Sequence, residues 1–282
     1  MTAEKDLARV RNPVLLLSAA GWALLLADPH GMPVHCAVPM AAGSWRMLLA
    51  MNPLAARMAG WALMLVAMMA PALIVPLTYL RLNSFRRRRA RSMGLFAAGY
   101  AGVWMIAGVV LLALEMGARA MAPESYGPAL AVAATALVWQ CSPMKQSCLN
   151  HCHAHGSLAA FGGAADRDAL GFGLSHGVWC AGSCWAWMLL PMLLPRGHVM
   201  GMAGVTVLIL GERLERPARP EWRWRGVGRL MRIVRRACGA AIAREASGPN
   251  SHGTNSGEAA EGGPAFLRRE ENRIERDCAA NR

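Results

Sequence analysis

The sequence predicts an all-α protein, a polytopic transmembrane helical bundle of about six spans, and three observations predict it. The chain of 282 residues is 55% hydrophobic, with a mean hydropathy of +0.27. Its charges are segregated, with long stretches almost uncharged and arginines gathered in short blocks. Several uncharged stretches approach the roughly 20 residues that a helix needs to cross a bilayer. A net charge of +13 raises the question of nucleic acid. The arginines flank apolar runs, however, where topology and anionic lipid explain them more simply. Nucleic acid is therefore not an expected partner; the lipid bilayer is.

The first span is expected at residues 13–27, after Lys5, Arg9 and Arg11. It is short, and the apolar core of a cleavable signal peptide is the alternative reading, though the residues before Asp28 match a cleavage site poorly. The second span, residues 58–80, contains Pro71 and Pro76, which free backbone carbonyls and kink a helix. Met64, Met68 and Met69 precede that kink. The loop from Arg81 to Arg91 carries six arginines, which marks its side of the membrane as cytoplasmic. The remaining spans are expected at 93–117, 126–141, 169–194 and 198–211. The first, fourth and sixth are short and need flanking residues or local thinning of the bilayer.

Six crossings put both termini in the cytoplasm, which points to a multi-pass protein of the cell inner (plasma) membrane. Arg213, Arg216, Arg219, Arg223, Arg225 and Arg229 follow the last span and agree with that orientation. Residues 1–216 form the expected transmembrane domain. Residues 217–244 mix Trp222, Trp224, Leu230, Ile233 and Val234 with arginines, as in a basic amphipathic segment on the membrane surface. Residues 245–282 are rich in Gly, Ser, Asn and Glu and are expected to be disordered.

The chemistry concentrates on the fifth span. His176, Cys180, Cys184, Met188 and Met192 recur every four residues in a stretch without a charged residue. Four residues advance a helix by about 6 Å and turn it by roughly 40°, so the first three share one face. Polar groups inside a membrane usually face a bundle interior and mark function. Soft donors at this spacing suggest a soft metal ion. A second cluster, "QCSPMKQSCLNHCHAH" from Gln140 to His155, repeats the interval at Met144, Cys148 and Cys152 and adds His151, His153 and His155. A third set, His30, Met32, His35, Cys36 and Met40, lies in the first non-cytoplasmic loop. The plainer readings are that free cysteines pack as small hydrophobes, that His176 bonds a carbonyl across a helix interface, and that the loop residues are ordinary solvated side chains.

The expected metal ligands are His176, Cys180, Cys184, Cys148, Cys152, Met188 and Met68. Cu(I) is the expected ion and zinc the alternative. Thiols ligate as thiolates, so two cysteines and a neutral histidine leave Cu(I) with a net −1 and Zn(II) neutral. Electrostatics alone favours zinc unless a basic group lies nearby, whereas thioethers are poor zinc ligands and favour copper. The expected function is metal binding for delivery to an apo copper enzyme, to a soluble copper carrier or across the membrane, without catalysis. No phosphate-binding loop or acidic phosphorylation motif is evident. Two rival classes are a membrane thiol–disulfide oxidoreductase using the cysteine pairs and a structural subunit whose sulfurs only pack. Cys-x-x-x-Cys on a helix is poor geometry for a disulfide.

Five blocks carry a family resemblance: "MLVAMMAP" (Met64–Pro71), "GYAGVW" (Gly99–Trp104), "SPMKQSCLNHC" (Ser142–Cys152), "GLSHGVWCAGSCWAWM" (Gly173–Met188) and "VMGM" (Val199–Met202). With Glu212 they resemble the family of predicted metal-binding integral membrane proteins, some of which are associated with copper delivery for polyphenol oxidase (tyrosinase-type) maturation. The resemblance covers roughly residues 58–216. It implies Cys148, Cys152, His176, Cys180 and Cys184 as the metal set, with Met68, Met69, Met200 and Met202 as secondary members. Ser183 stands where the family pattern frequently has another cysteine, and His151 and His153 enrich a loop usually richer in arginine.

Overall fold

The computed structural model describes residues 2–27, 54–122, 125–154, 156, 158–159, 161–224, 228, 231–232 and 235. The chain divides into two compact units, Met1–Val234 and Arg235–Arg282, and every helix named below belongs to the first. The described residues contain helices and no strand. The first-loop donors His30 to Met40, His155, most of 217–244 and the tail lie outside the described residues.

Helix α1 spans Thr2–Ala27. It starts well before the apolar run because its first turns are made of good helix formers such as Ala, Glu, Lys, Leu and Arg. Ser18 Oγ donates to the Ala67 carbonyl at 2.7 Å, and the bare Cα of Gly21 lets the two backbones come that close. Helix α2 (Leu54–Met69) passes through a 3₁₀ turn at Ala70–Leu73 into α3 (Ile74–Asn83). Pro71 opens that turn, where its missing N–H is accommodated by tightening the winding.

Helices α4 (Arg89–Met121), α5 (Gly127–Cys141), α6 (Pro143–His153), α7 (Gly162–Leu193) and α8 (His198–Arg213) follow. The start of α6 has a local cause: the Ser142 hydroxyl caps the Lys145 N–H at 3.2 Å, with Pro143 in the first turn. Gly197, at φ +77°, makes the left-handed turn into α8.

The tightest helix pair is α4 against α7. Phe96, Tyr100 and Trp104 fill one side, while small residues let the backbones meet. A Cβ at Gly99 would lie 2.7 Å from the Leu170 carbonyl oxygen, and one at Gly173 would overlap the Phe96 backbone. Small residues at such crossings are what allow helices to pack closely in lipid. Gly173→Ala is expected to cost about 1–3 kcal/mol through overpacking. Gly102→Ala, with nothing within 4 Å, should be neutral or gain about 0.5–1 kcal/mol. Thermal unfolding in detergent separates the two, and equal melting temperatures would contradict this packing.

Among the described residues, three helical stretches are long and apolar enough to cross a membrane: Asp6–Ala27, Leu54–Asn83 and Arg89–Met121. Gly127–Cys141 is apolar but shorter. Helix α7 has ample length at 32 residues, but its glycines, serines, tryptophans and His176 dilute its hydropathy. The six-crossing arrangement therefore remains an expectation of the sequence pattern.

Candidate metal centre

Helix α7 turns its four-residue ladder inward. His176 is 5% exposed, Cys180 0%, Cys184 1%, Met188 0% and Met192 8%. The imidazole of His176 sits among Phe96, Tyr100 and Phe172, with ring centroids 5.8, 6.0 and 6.0 Å away. One turn on, the Cys180 sulfur meets the Tyr100 hydroxyl at 3.4 Å. The Cys184 thiol donates to the Cys180 carbonyl at 3.0 Å. Met64, Met68, Met69 and Met202 are buried in the same core as Cys180, Cys184 and Met188.

Helix α6 packs its own cysteine pair against α7. Cys148 and Cys152 are both buried, and a Cβ on Gly182 would stand 3.0 Å from the Cys148 sulfur. The missing side chain of Gly182 thus admits the Cys148 thiol of α6 against α7, on a side turned roughly 160° from the Cys180 and Cys184 face. Trp139 Nε1 donates to the Gly182 carbonyl at 3.0 Å and fixes α5 against the same turn. Burial pushes the Cys152 thiol up to about 11 and also raises Cys148, so both are protonated at neutral pH.

One cation joins the two helices. Arg213, at the end of α8, donates from Nη2 to the Cys180 sulfur at 3.0 Å and to Ser183 Oγ at 3.3 Å. The same positive charge acts on the Cys152 thiol and opposes the upward push of its burial. Sequence reasoning placed Arg213 among the arginines that set topology. Nothing in its local spacing hinted otherwise.

A second buried polar group braces the centre. Lys145 Nζ donates to Glu212 Oε1 at 2.9 Å and to Gln140 Oε1 at 2.6 Å. Gln140 Nε2 bonds Glu212, and Trp187 Nε1 donates to Gln140 Oε1 at 2.8 Å. This network ties α5, α6, α7 and α8 together. It escaped sequence reading because its members come from four different helices and no local spacing links them.

His176 also lines a crevice of about 400 Å³, shared with His151, Asp168, Phe172, Ser175 and Trp179. The His151 ring stacks on Trp179 at 4.1 Å. His153, by contrast, faces carbonyls of Leu149 and Arg213 with its two ring nitrogens, at 2.8 and 3.1 Å, which assigns it to the α6–α8 contact. Met144 and Met200 are 62% and 78% exposed and stand apart from the sulfur core.

Cys141, Cys148, Cys152, Cys180 and Cys184 are free thiols. Among the described residues no three His, Cys, Asp or Glu side chains converge as a ready-made cation cage. The donors are adjacent and inward-facing, with Cys184 held on a backbone carbonyl and Cys180 on a guanidinium.

Residues 58–235 match the family model described as PpoB2, copper chaperone. That is well over half of the chain. The chain belongs to the PpoB2 copper chaperone family. No curated protein and no solved structure matches it. The matched region runs from within α2 through α8 and contains every donor of the α6–α7 centre, so a copper-related function follows from family membership.

Proposed function

We propose that this chain is a multi-pass membrane protein that binds Cu(I) through Cys148, Cys152, His176, Cys180 and Cys184, with Met188 and Met68 as thioether relays. It would then hand the ion to an apo copper enzyme, to a soluble carrier or onward across the membrane. In the orientation set by the arginine-rich loop, α6 and the His151–His176 crevice face the cytoplasm and both termini lie there too. The ion enters beside His176 and meets Cys180 one turn deeper, about 6 Å further along the helix. Adjacent sulfur donors allow it to move by ligand exchange without passing bare through an apolar core.

The observation that carries this reading is the position of Arg213. Two thiolates, Cu(I) and one guanidinium sum to zero, whereas Zn(II) in the same place would leave +1. The basic group therefore shifts the electrostatic preference from zinc to copper. The Cys184 thiol on the Cys180 carbonyl describes a resting state. Loading requires the Cys184 side chain to leave the Cys180 carbonyl and the ligating thiols to lose their protons.

Purified protein in detergent, loaded anaerobically with each ion and desalted, is expected to keep Cu(I) and lose Zn(II). Equal retention of zinc would overturn the choice of copper. Because ligation displaces protons from thiols, affinity should rise with pH, about tenfold per unit for each proton released. Binding therefore weakens as pH falls from 8 to 6. In a chelator-competition titration at pH 6, 7 and 8, Cys184→Ser is expected to flatten the slope. A pH-independent wild-type affinity would contradict thiolate ligation.

A further inference from the structure

At the far end of α7 stands a histidine that none of the foregoing uses. His198 opens α8, and its Nδ1 lies 2.7 Å from the Pro191 carbonyl oxygen. A carbonyl can only accept, so Nδ1 carries the proton. In the neutral ring Nε2 is then a bare lone pair. That Nε2 is enclosed by the protein and has no hydrogen-bond partner among the described residues. A ring whose one nitrogen is held by a backbone carbonyl while the other is buried and unpartnered has the form of a metal-ligating histidine.

The neighbours supply soft donors. Met202 lies four residues after His198, on the same face of α8, and is 0% exposed. Met192, one residue beyond Pro191, belongs to the same apolar core as Met202 and Met188. Gly201 allows this approach, since a Cβ there would lie 2.7 Å from Leu194 Cδ1. The place lies further along α7 than the thiols, with Met192 about 12 Å beyond Cys184 by helical rise. Helix α7 begins at the arginine-rich loop, where Arg88 and Arg91 pair with Asp166 at 2.5 and 2.7 Å. Met192 lies about 24 Å along the helix from His176 by helical rise.

We infer that His198 Nε2, Met202 and Met192 form a second Cu(I) site at the end of α7 opposite the arginine-rich loop. This rests on the reading of the chain as a Cu(I) carrier. All three donors are neutral, so the site suits a monovalent soft ion and not zinc. Its surroundings make it the weaker of the two. Arg119 donates to the Met192 carbonyl at 2.5 Å, and Arg57 and Arg119 share the single carboxylate of Glu115 at 2.9 and 2.6 Å. An excess guanidinium charge beside neutral ligands lowers affinity for a cation, as a station that gives up its ion requires.

The test is an anaerobic titration of the full-length protein in detergent with Cu(I) alone, against a chromophoric chelator, joined to copper-edge X-ray absorption. His198→Asn keeps an amide N–H for the Pro191 carbonyl and removes the Nε2 donor. Met202→Leu conserves volume and removes the sulfur. Each is expected to bind one ion fewer than wild type, or to weaken the second binding phase by at least about tenfold, while the thiolate-bound ion and its sulfur spectrum persist. If His198→Asn fails to fold, Met202→Leu decides alone, because packing tolerates that exchange. Wild-type stoichiometry and affinity in Met202→Leu would overturn the second site and leave the thiol centre standing. Wild-type protein that binds no Cu(I) at all would overturn the carrier reading itself.

Discussion

Arg213→Gln is expected to lower Cu(I) affinity at the α6–α7 centre by about a hundredfold. The guanidinium sits 3.0 Å from the Cys180 sulfur and 3.3 Å from Ser183 Oγ. Removing it leaves two thiolates and a monovalent ion with an uncompensated negative charge among apolar helices. Two unit charges about 4 Å apart interact by about 4 kcal/mol at an effective dielectric of 20. Arg213 is only half-buried, so solvent screening reduces that to about 2–3 kcal/mol, or about two decades of affinity. Arg213→Lys should recover part of the loss, since it keeps the charge and not the planar fork that reaches Cys180 and Ser183. Competition titration of the three proteins checks the order wild type, Lys, Gln. An unchanged affinity in the glutamine variant would remove the electrostatic case for copper.

Lys145→Met is expected to destabilise the bundle by about 3–5 kcal/mol, the usual cost of breaking a buried ion pair by removing one partner. Lys145 is 0% and Glu212 3% exposed, and their contact is 2.9 Å. The single variant strands a carboxylate among α5, α6 and α8. Replacing both residues by Met and Leu removes both charges and is expected to lose less than the single change. Thermal unfolding in detergent, read as a double-mutant cycle, gives the coupling. If Lys145→Met melts with wild type, the Lys145–Glu212 pair is not what joins α6 to α8.

The helices were legible in the sequence wherever apolar runs were long. Residues 58–80 and 93–117 fall inside Leu54–Asn83 and Arg89–Met121, and the proline pair foretold the break that appears as the 3₁₀ turn at Ala70–Leu73. Helix ends were less legible because charged helix formers extend α1 and α4 beyond the apolar runs. The inward face of α7 was legible from its four-residue spacing, because period and burial coincide. Its partners were not. Arg213 resembled the topological arginines around it, and Tyr100 resembled any interfacial aromatic. His198 differs from an ordinary loop histidine only in its tertiary hydrogen bond to Pro191. Such residues acquire a role through chain-distant contacts, which local spacing does not encode. His151 and His153 looked equivalent in sequence, yet one lines the crevice and the other joins α6 to α8.

Copper per protein after anaerobic loading and desalting, wild type beside Cys180→Ser/Cys184→Ser, tests the central claim most directly. The wild type is expected to retain copper in stoichiometric amount, and the double variant, folded and pure, to elute without the thiolate-bound ion. Full copper retention by the double variant would mean that the buried thiols of α7 do not hold the metal.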